Sequence, residues 1–415
     1  MTLLELESQA VQEGQAYTRR LLGERLQAEA DRLGPVDPHT GLKLKRARRV
    51  PMHLRTTCGE VTLSVWYGYC RKQGKWVQPA RIHWGLDAHR QTSPELERRM
   101  CYTAAETGSF EKASRMARVW GTPISDDAIH ACVGRRGRCA QERPAPAPTP
   151  APREDTAAMI IMMDGWMARH RGEQWGLKPP DLSAKRIHWH EIKSAVIFRL
   201  DARAQTQSGR RVLIHKHVVA SPAGTDPVTF GQHVHAEAVR LGMMRAERVY
   251  VVMDGALWLW HVFEDRFSAV ATGLLDFYHA SEHLWKLAHE IYPDDTGQAK
   301  RWCVRLLHQL RHGQETRVLG SLANLLVEAP APYPQAQETI AATVDYFQAH
   351  AAHIGYAEHA QRGVPIGSGA MESQCSQFQN RLKRRGQFWS RDGSANILEI
   401  GIRVQNLELD SLWAA

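Results

Sequence analysis

Apolar residues recur at helical spacing through residues 1 to about 33, at Leu3, Leu4, Val11, Leu21, Leu22, Leu26 and Leu33, which predicts a helix. A basic run follows from Lys43 to Arg55, with six Lys/Arg and no carboxylate. Apolar and polar positions then alternate through E-V-T-L-S-V-W-Y-G-Y-C, the period of a strand or hairpin. From residue 92 to 137 the pattern reads as short helices with tight turns. Ser93-Pro94 starts one helix, Thr122-Pro123 breaks another, and Ser125 with Asp126 caps the last, Asp127 to Val133. Such a set suits either a helix-turn-helix, whose last helix enters the major groove, or a small helical bundle without DNA contact.

R-P-A-P-A-P-T-P-A-P-R (143–153) predicts an extended, semi-rigid linker and the clearest domain boundary. Beyond it the pattern changes. A-A-M-I-I-M-M-D-G-W-M is a buried strand ending in Asp164, and H-E-I-K-S-A-V-I-F-R-L-D-A-R and R-R-V-L-I-H-K-H-V-V-A read as a second and a third strand. F-G-Q-H-V-H-A-E-A-V-R-L-G predicts an amphipathic helix closed by Gly242. E-R-V-Y-V-V-M-D-G-A-L-W-L-W is a fourth strand ending in Asp254, and G-L-L-D-F-Y-H begins a short fifth strand and a helix. Residues 294 to about 360 read as mostly helical, and a final helix starts near Gly369 and carries Glu372. Three strands, a helix, a strand, a helix, a strand and a late acid-bearing helix is the order of an α/β ribonuclease-H-like core with an all-helical insertion. The expected division is an N-terminal, mainly helical DNA-binding region (1–142), the linker (143–153), the core (154–280 and 365–405) and the insertion (281–364).

Two hydrophobic strands that both end in M-D-G carry the chemistry. An acid that leaves a buried strand sits at the carboxyl edge of a sheet, where ligands collect in open α/β folds. Gly165 and Gly255 let the chain turn and leave room beside each carboxylate. Glu372 follows the glycine turn P-I-G-S-G-A-M-E-S and falls in the first turn of its helix. Either aspartate alone reads as an ordinary turn acid. Together with Glu372 they form the oxygen-rich set that Mg²⁺ prefers, with Mn²⁺ as a substitute. Two such ions about 3.5–4 Å apart serve in-line displacement at phosphorus. After Glu372, Ser376 to Arg391 holds Arg381, Lys383, Arg384, Arg385 and Arg391, interleaved with Phe378, Phe388 and Trp389, and no acid. Those cations suit phosphates and the aromatics suit unpaired bases, although the aromatics read mostly as core packing.

The charge balance of 53 Lys/Arg against 44 Asp/Glu, or +9, fits an anionic partner such as nucleic acid. Lys43, Lys45, Arg46, Arg48 and Arg49 are further candidate phosphate contacts. Seven cysteines without a C-x-x-C pair imply neither a disulfide framework nor a zinc ribbon. The opening M-T-L-L-E-L-E-S-Q-A-V-Q-E-G carries three glutamates and no basic n-region, so it does not read as a signal peptide, and the longest apolar run, Ala157 to Met163, is too short to span a bilayer. A bacterial cytoplasmic protein at the nucleoid is the expectation.

M-D-G-W, M-D-G-A-L-W-L-W, L-D-F-Y-H-A-S-E-H-L-W, and G-S-G-A-M-E-S followed by R-L-K-R-R-G and F-W-S resemble bacterial insertion-sequence transposases of the ISKra type. More loosely they resemble the Mutator/hAT-like branch of DDE enzymes. The resemblance spans about residues 157 to 400. It implies that Asp164, Asp254 and Glu372 are the catalytic, metal-holding triad. It also implies that Asp276 and His279 form a D-x-x-H signature in which His279 is an accessory catalytic residue. Relatives carry a paired-cysteine ribbon after the first hairpin; here Y-G-Y-C-R-K-Q-G keeps only Cys70, so no zinc is expected.

The histidine pairs 188/190, 215/217 and 233/235 lack a third ligand at suitable spacing and read as ordinary surface histidines. Trp258, Trp260 and Trp285 read first as core. Cys375 lies one helical turn from Glu372, without a His-Asp arrangement to activate it. The whole points to Mg²⁺-dependent cleavage at transposon ends and transfer of the 3′-hydroxyl into target DNA, by a homodimer or larger assembly ordered on DNA. A structure-selective nuclease of the same fold and a non-catalytic DNA-binding descendant are the alternatives.

Overall fold

Two uninterrupted apolar runs dictate the centre of the larger of two units. Met159–Met163 and Val249–Met253 are buried residue by residue, as strands covered on both faces must be. The computed structural model describes residues 1–86, 91–143, 157–173, 175–176, 187–209, 211–328 and 334–413. Apart from Arg143, the Pro/Ala segment 143–153 lies outside the described residues. The chain divides into two units, one of residues 1–139 with 412–415 and one of residues 140–411.

The first unit opens with α1 (Leu3–Leu33), capped by a reciprocal Thr2–Glu5 box. Three antiparallel strands follow, β1 (Lys45–Thr56), β2 (Gly59–Cys70) and β3 (Lys75–Val77), then α2 (Pro79–His83). The basic run 43–55 is therefore mostly strand, with exposed Arg and Lys alternating against buried Met52 and Leu54. The second half of α1 meets this sheet: Leu26, Ala30 and Leu33 pack on Met52, Leu63 and Val65, while Leu3, Leu4 and Val11 stay exposed. Helices α3 (Pro94–Glu106), α4 (Phe110–Val119) and α5 (Asp126–Glu142) complete it, and the last runs well past Val133. Buried Glu97 of α3 is neutralised by Arg135 (3.1 Å) and Arg136 (2.6 Å) of α5, which ties those two helices together.

The second unit contains β4 (Met159–Arg171), β5 (Ile187–Arg199), β6 (Arg203–Gln205), β7 (Arg211–Leu213), β8 (His217–Ser221), β9 (Val249–Met253) and β10 (Thr272–Leu275). Its five-stranded sheet has the order β10-β9-β4-β5-β8. β5 is antiparallel to β4 and β8, whereas β9 is parallel to β4 and β10. This mixed sheet with its covering helices is compatible with a ribonuclease-H-like core.

Helices α6 (Pro227–Arg240) and α7 (Leu257–Arg266) pack together at Gly231, where a Cβ would come 2.9 Å from Val262. Then α8 (Phe277–Ile291), α9 (Thr296–Arg311), α10 (Glu315–Glu328), α11 (Gln337–Ala349) and α12 (Tyr356–Gln361) bury Leu284, Leu306, Val318, Ile340 and Phe347. α13 (Gly369–Leu382) lies on β4, with Phe378 stacked on Trp166 at 6.1 Å.

Three features depart from the pattern reading. β4 does not end at Asp164; it continues to Arg171 because β5 pairs with it through Ile187, long after β9 has stopped at Met253. The expected third strand breaks in two, since β7 pairs with β6 in a separate ribbon and only β8 joins the main sheet. A further helix, α14 (Arg391–Gln405), follows α13, and Asn406 just after it pairs with both the N–H (2.8 Å) and the C=O (3.0 Å) of Val218. That side chain substitutes for a strand partner on edge strand β8. Among the described residues no helix is long and apolar enough to cross a membrane.

Candidate functional site

Strand register alone aligns three aspartates. Met163 of β4 pairs with Met253 of β9, and Met253 pairs with Leu275 of β10. The next residue of each strand is Asp164, Asp254 and Asp276. Adjacent strands are about 4.8 Å apart, so these acids form a row at the edge where β9 and β10 end. The row continues a continuous apolar core, which is why Asp276 is fully buried and the other two are partly so.

Asp276 is held by backbone donors. Its Oδ1 accepts from the N–H groups of Tyr278 (2.6 Å) and His279 (3.2 Å), capping α8, and its Oδ2 accepts from Ser368 N–H (2.6 Å). Phe277 N–H donates to Ile366 C=O at 2.9 Å beside it. These bonds clamp the start of α8 to the turn before α13, and Gly367 leaves room there: a Cβ would come 2.5 Å from the Tyr278 ring. The clamp brings His279 and Glu372 to the same place. Asp276, His279 and Glu372 each offer a ligand atom, all within 4.8 Å of one another, an arrangement consistent with a divalent cation. Ser368 Oγ donates to Glu372 Oε1 at 3.4 Å, which steadies the glutamate.

Asp164 faces the same helix, and the Cys375 thiol donates to its Oδ2 at 3.5 Å. Burial raises the Asp164 pKa to about 6; the Gly165 N–H (2.6 Å) opposes this and the negative charge of Asp254 adds to it. Burial, Asp164 and Glu372 likewise push the Cys375 thiol well up, so it is a neutral donor. Asp254 Oδ1 accepts from Ala256 N–H (2.8 Å), and its C=O from the Trp260 indole (2.9 Å), which fixes the loop after β9.

The two glycines after the aspartates serve close approach rather than turning. A Cβ on Gly165 would sit 2.2 Å from Glu191 Oε1, and one on Gly255 would sit 2.1 Å from the Tyr346 ring. Tyr346 comes from α11 and stacks on His283 at 3.8 Å, so the helical segment reaches the row of acids. No local signal marks Tyr346, because only the fold brings it beside Gly255. Asp276 was visible only as part of the D-x-x-H resemblance.

The candidate phosphate contacts divide by environment. Lys43, Lys45, Arg46 and Arg48 are exposed in the first unit, around a bulge between Lys45 and Arg48 where Arg46 has φ 51°. Arg49 is occupied: it pairs with Asp31 (2.7 Å), donates to Ser64 C=O (2.6 Å) and lies over Trp66. In the second unit Arg384, Arg385 and Arg391 are exposed and Lys383 half-buried. Arg381 and Trp389, expected to face DNA, are instead buried together, the guanidinium 5.2 Å from the ring and the indole N–H donating to Leu382 C=O (2.9 Å). Trp389 is drawn inward because its backbone bridges to β4, where Arg171 N–H donates to its C=O (2.8 Å). Burial and neighbouring Arg384 lower the Arg381 pKa to about 10. Cys70 is buried, 3.8 Å from Thr40 Oγ1.

No family model matches the chain, and no curated protein does. Among solved structures, it is similar to the Drosophila P element transposase strand transfer complex. That likeness has 10% identity and a TM-score of 0.39 over 79% of this chain and 96% of that one. A crystal structure of NurA is similar over 68% of this chain and 62% of that one, at 13% identity and a TM-score of 0.11. At these scores neither likeness decides function.

Proposed function

We propose that the chain is a DDE transposase, which cleaves DNA at transposon ends and transfers the 3′-hydroxyl into target DNA. The observation that carries this reading is the register that lines up Asp164, Asp254 and Asp276 on three neighbouring strands, with Glu372 approaching from α13. The ISKra-type resemblance of the surrounding motifs supports it. Glu372 and His279, whose ligand atoms lie within 4.8 Å of each other and of Asp276, offer oxygen and nitrogen donors for a divalent ion; Asp164 and Asp254 are outside that group and stand beside it along the strand register.

In this reading Asp164, Asp254 and Glu372 hold Mg²⁺, with Mn²⁺ as a substitute. When bound, the metal activates the attacking oxygen and neutralises charge on the phosphoryl group. Asp276 is a positioning residue, since its oxygens already accept three backbone N–H bonds. His279 is the accessory residue, a contact for phosphate or Asp254, and Ser368 orients Glu372. The neutral Cys375 thiol supplies a hydrogen bond that holds one Asp164 oxygen in place. Residues 1–142 serve as the DNA-end recognition region, with the exposed Lys43–Arg48 run on phosphates and α5 as the helix of a helix-turn-helix. The linker 143–153 separates that region from the core, and residues 281–364 form the helical insertion. Pairing of two DNA ends calls for a homodimer or larger assembly at the nucleoid.

The test is a strand-transfer assay with purified protein, Mg²⁺ or Mn²⁺ and labelled DNA bearing the element's own ends. Joined products that vanish in Asp254→Asn are expected. Cleavage without joining favours a structure-selective nuclease, and binding without either reaction leaves a DNA-binding descendant.

A further inference from the structure

Beyond Asp164, β4 and β5 leave the sheet core as a two-stranded arm, paired from Trp166↔Ile192, one step past the last β8 pair at Lys193, to Arg171↔Ile187. Trp189 lies on this arm directly opposite Arg169, and half of it is exposed (50%). Two cations approach its ring, Arg169 at 5.8 Å and Lys383 at 5.4 Å. The arrangement is braced: the Arg169 guanidinium donates to the carbonyls of Lys383 (2.9 Å) and Arg384, and it also lies 5.3 Å from Phe388. Arg171 Nε donates to Phe388 C=O at 3.0 Å, which fixes the end of the arm to the segment after α13. Arg384 and Arg385 stand exposed beside it. The arm's carboxylates are Glu173, 3.7 Å from His188, and Glu191, which is paired with Lys193 at 2.7 Å.

An open indole ringed by cations on a stiff backbone has the chemistry of a single-strand stacking platform. Every base has a π-face to stack, and the cations take the flanking phosphates. Both elements that hold the platform begin at the row of acids. Arg169 is five strand residues beyond Asp164, about 17 Å. Lys383 is eleven residues beyond Glu372 along and just past α13, about 16 Å. At about 3.4 Å per stacked nucleotide, that span holds roughly five nucleotides.

We propose that Trp189, flanked by Arg169 and Lys383, is a stacking clamp for an unpaired DNA base about five nucleotides from the phosphate at the carboxylates. The distance part rests on the transposase reading, whereas the clamp itself does not.

The test measures binding of a labelled oligothymidylate and of a blunt duplex in EDTA, by anisotropy, for the parent, Trp189→Ala, Trp189→Phe and Lys383→Gln. Trp189→Ala is expected to weaken single-strand binding roughly 5- to 150-fold and duplex binding less than about twofold. Trp189→Phe restores most of the loss, and Lys383→Gln lowers the salt slope by about 0.7. Unchanged circular dichroism of the exposed-site variants excludes misfolding. Equal single-strand binding by Trp189→Ala, or equal losses on both DNAs, overturns the clamp. With 2-aminopurine scanned along a 3′ extension, quenching that peaks near the fifth position and disappears in Trp189→Ala supports the distance; uniform quenching overturns it. A parent that never joins DNA, yet loses single-strand binding in Trp189→Ala, sinks the transposase reading and leaves the clamp standing.

Discussion

Asp164→Asn should make the metal-free protein more stable at alkaline pH, because the carboxylate at this position is held against its preference. Burial and Asp254 raise its pKa to about 6, from about 3.9 in an unfolded chain. An acid with a raised folded pKa binds its proton more tightly when folded. Its presence therefore costs stability above pH 6, and the cost fades as pH falls from about 6 to 4. At about 1.4 kcal/mol per pH unit the penalty is at most about 3 kcal/mol, and residual solvent around the half-buried group brings it to about 1–3. For a unit of this size that corresponds to a rise in melting temperature of roughly 2–5 °C at pH 8 and about a third of that at pH 4.5. The assay is thermal unfolding in EDTA across that range, followed by circular dichroism. Mg²⁺ should reverse the ranking, stabilising the parent and leaving Asp164→Asn unchanged. A variant that is less stable than the parent by the same amount at both pH values would refute the reasoning.

Gly255→Ala places a Cβ 2.1 Å from the Tyr346 ring and should cost about 1–3 kcal/mol; pairing it with Tyr346→Ala should recover part of the loss in urea unfolding, because the clashing ring is gone. Asn406→Ala removes both bonds to Val218 and leaves an edge-strand N–H and C=O unpartnered, with an expected loss of about 2–3 kcal/mol and faster amide exchange confined to β8.

How much of this was legible in the sequence follows from the range of each interaction. The apolar runs 159–163 and 249–253 announce central strands because burial on both faces leaves no polar position between, and the acids that follow them are visible for the same reason. The continuation of β4 to Arg171 is not, since it depends on β5, which pairs from across a long connection. Trp389 looks like a surface aromatic among arginines until the bridge to β4 buries it. Tyr346 and Trp189 carry no local pattern at all: one meets Gly255 from a distant helix, and the other gains its cations from β4 and from the end of α13. The split between β7 and β8 is hidden because both halves alternate like one strand.

The proposed chemistry requires carboxylates at the ends of neighbouring strands to gather divalent ions. Electron paramagnetic resonance of Mn²⁺ titrated into the parent, Asp164→Asn, Asp254→Asn, Glu372→Gln and Lys43→Ala measures that directly, without DNA or turnover. Saturable Mn²⁺ binding is expected in the parent and Lys43→Ala, weakened about 100-fold or more in each of the three acid variants. Binding by Asp254→Asn and Glu372→Gln equal to that of the parent would contradict it.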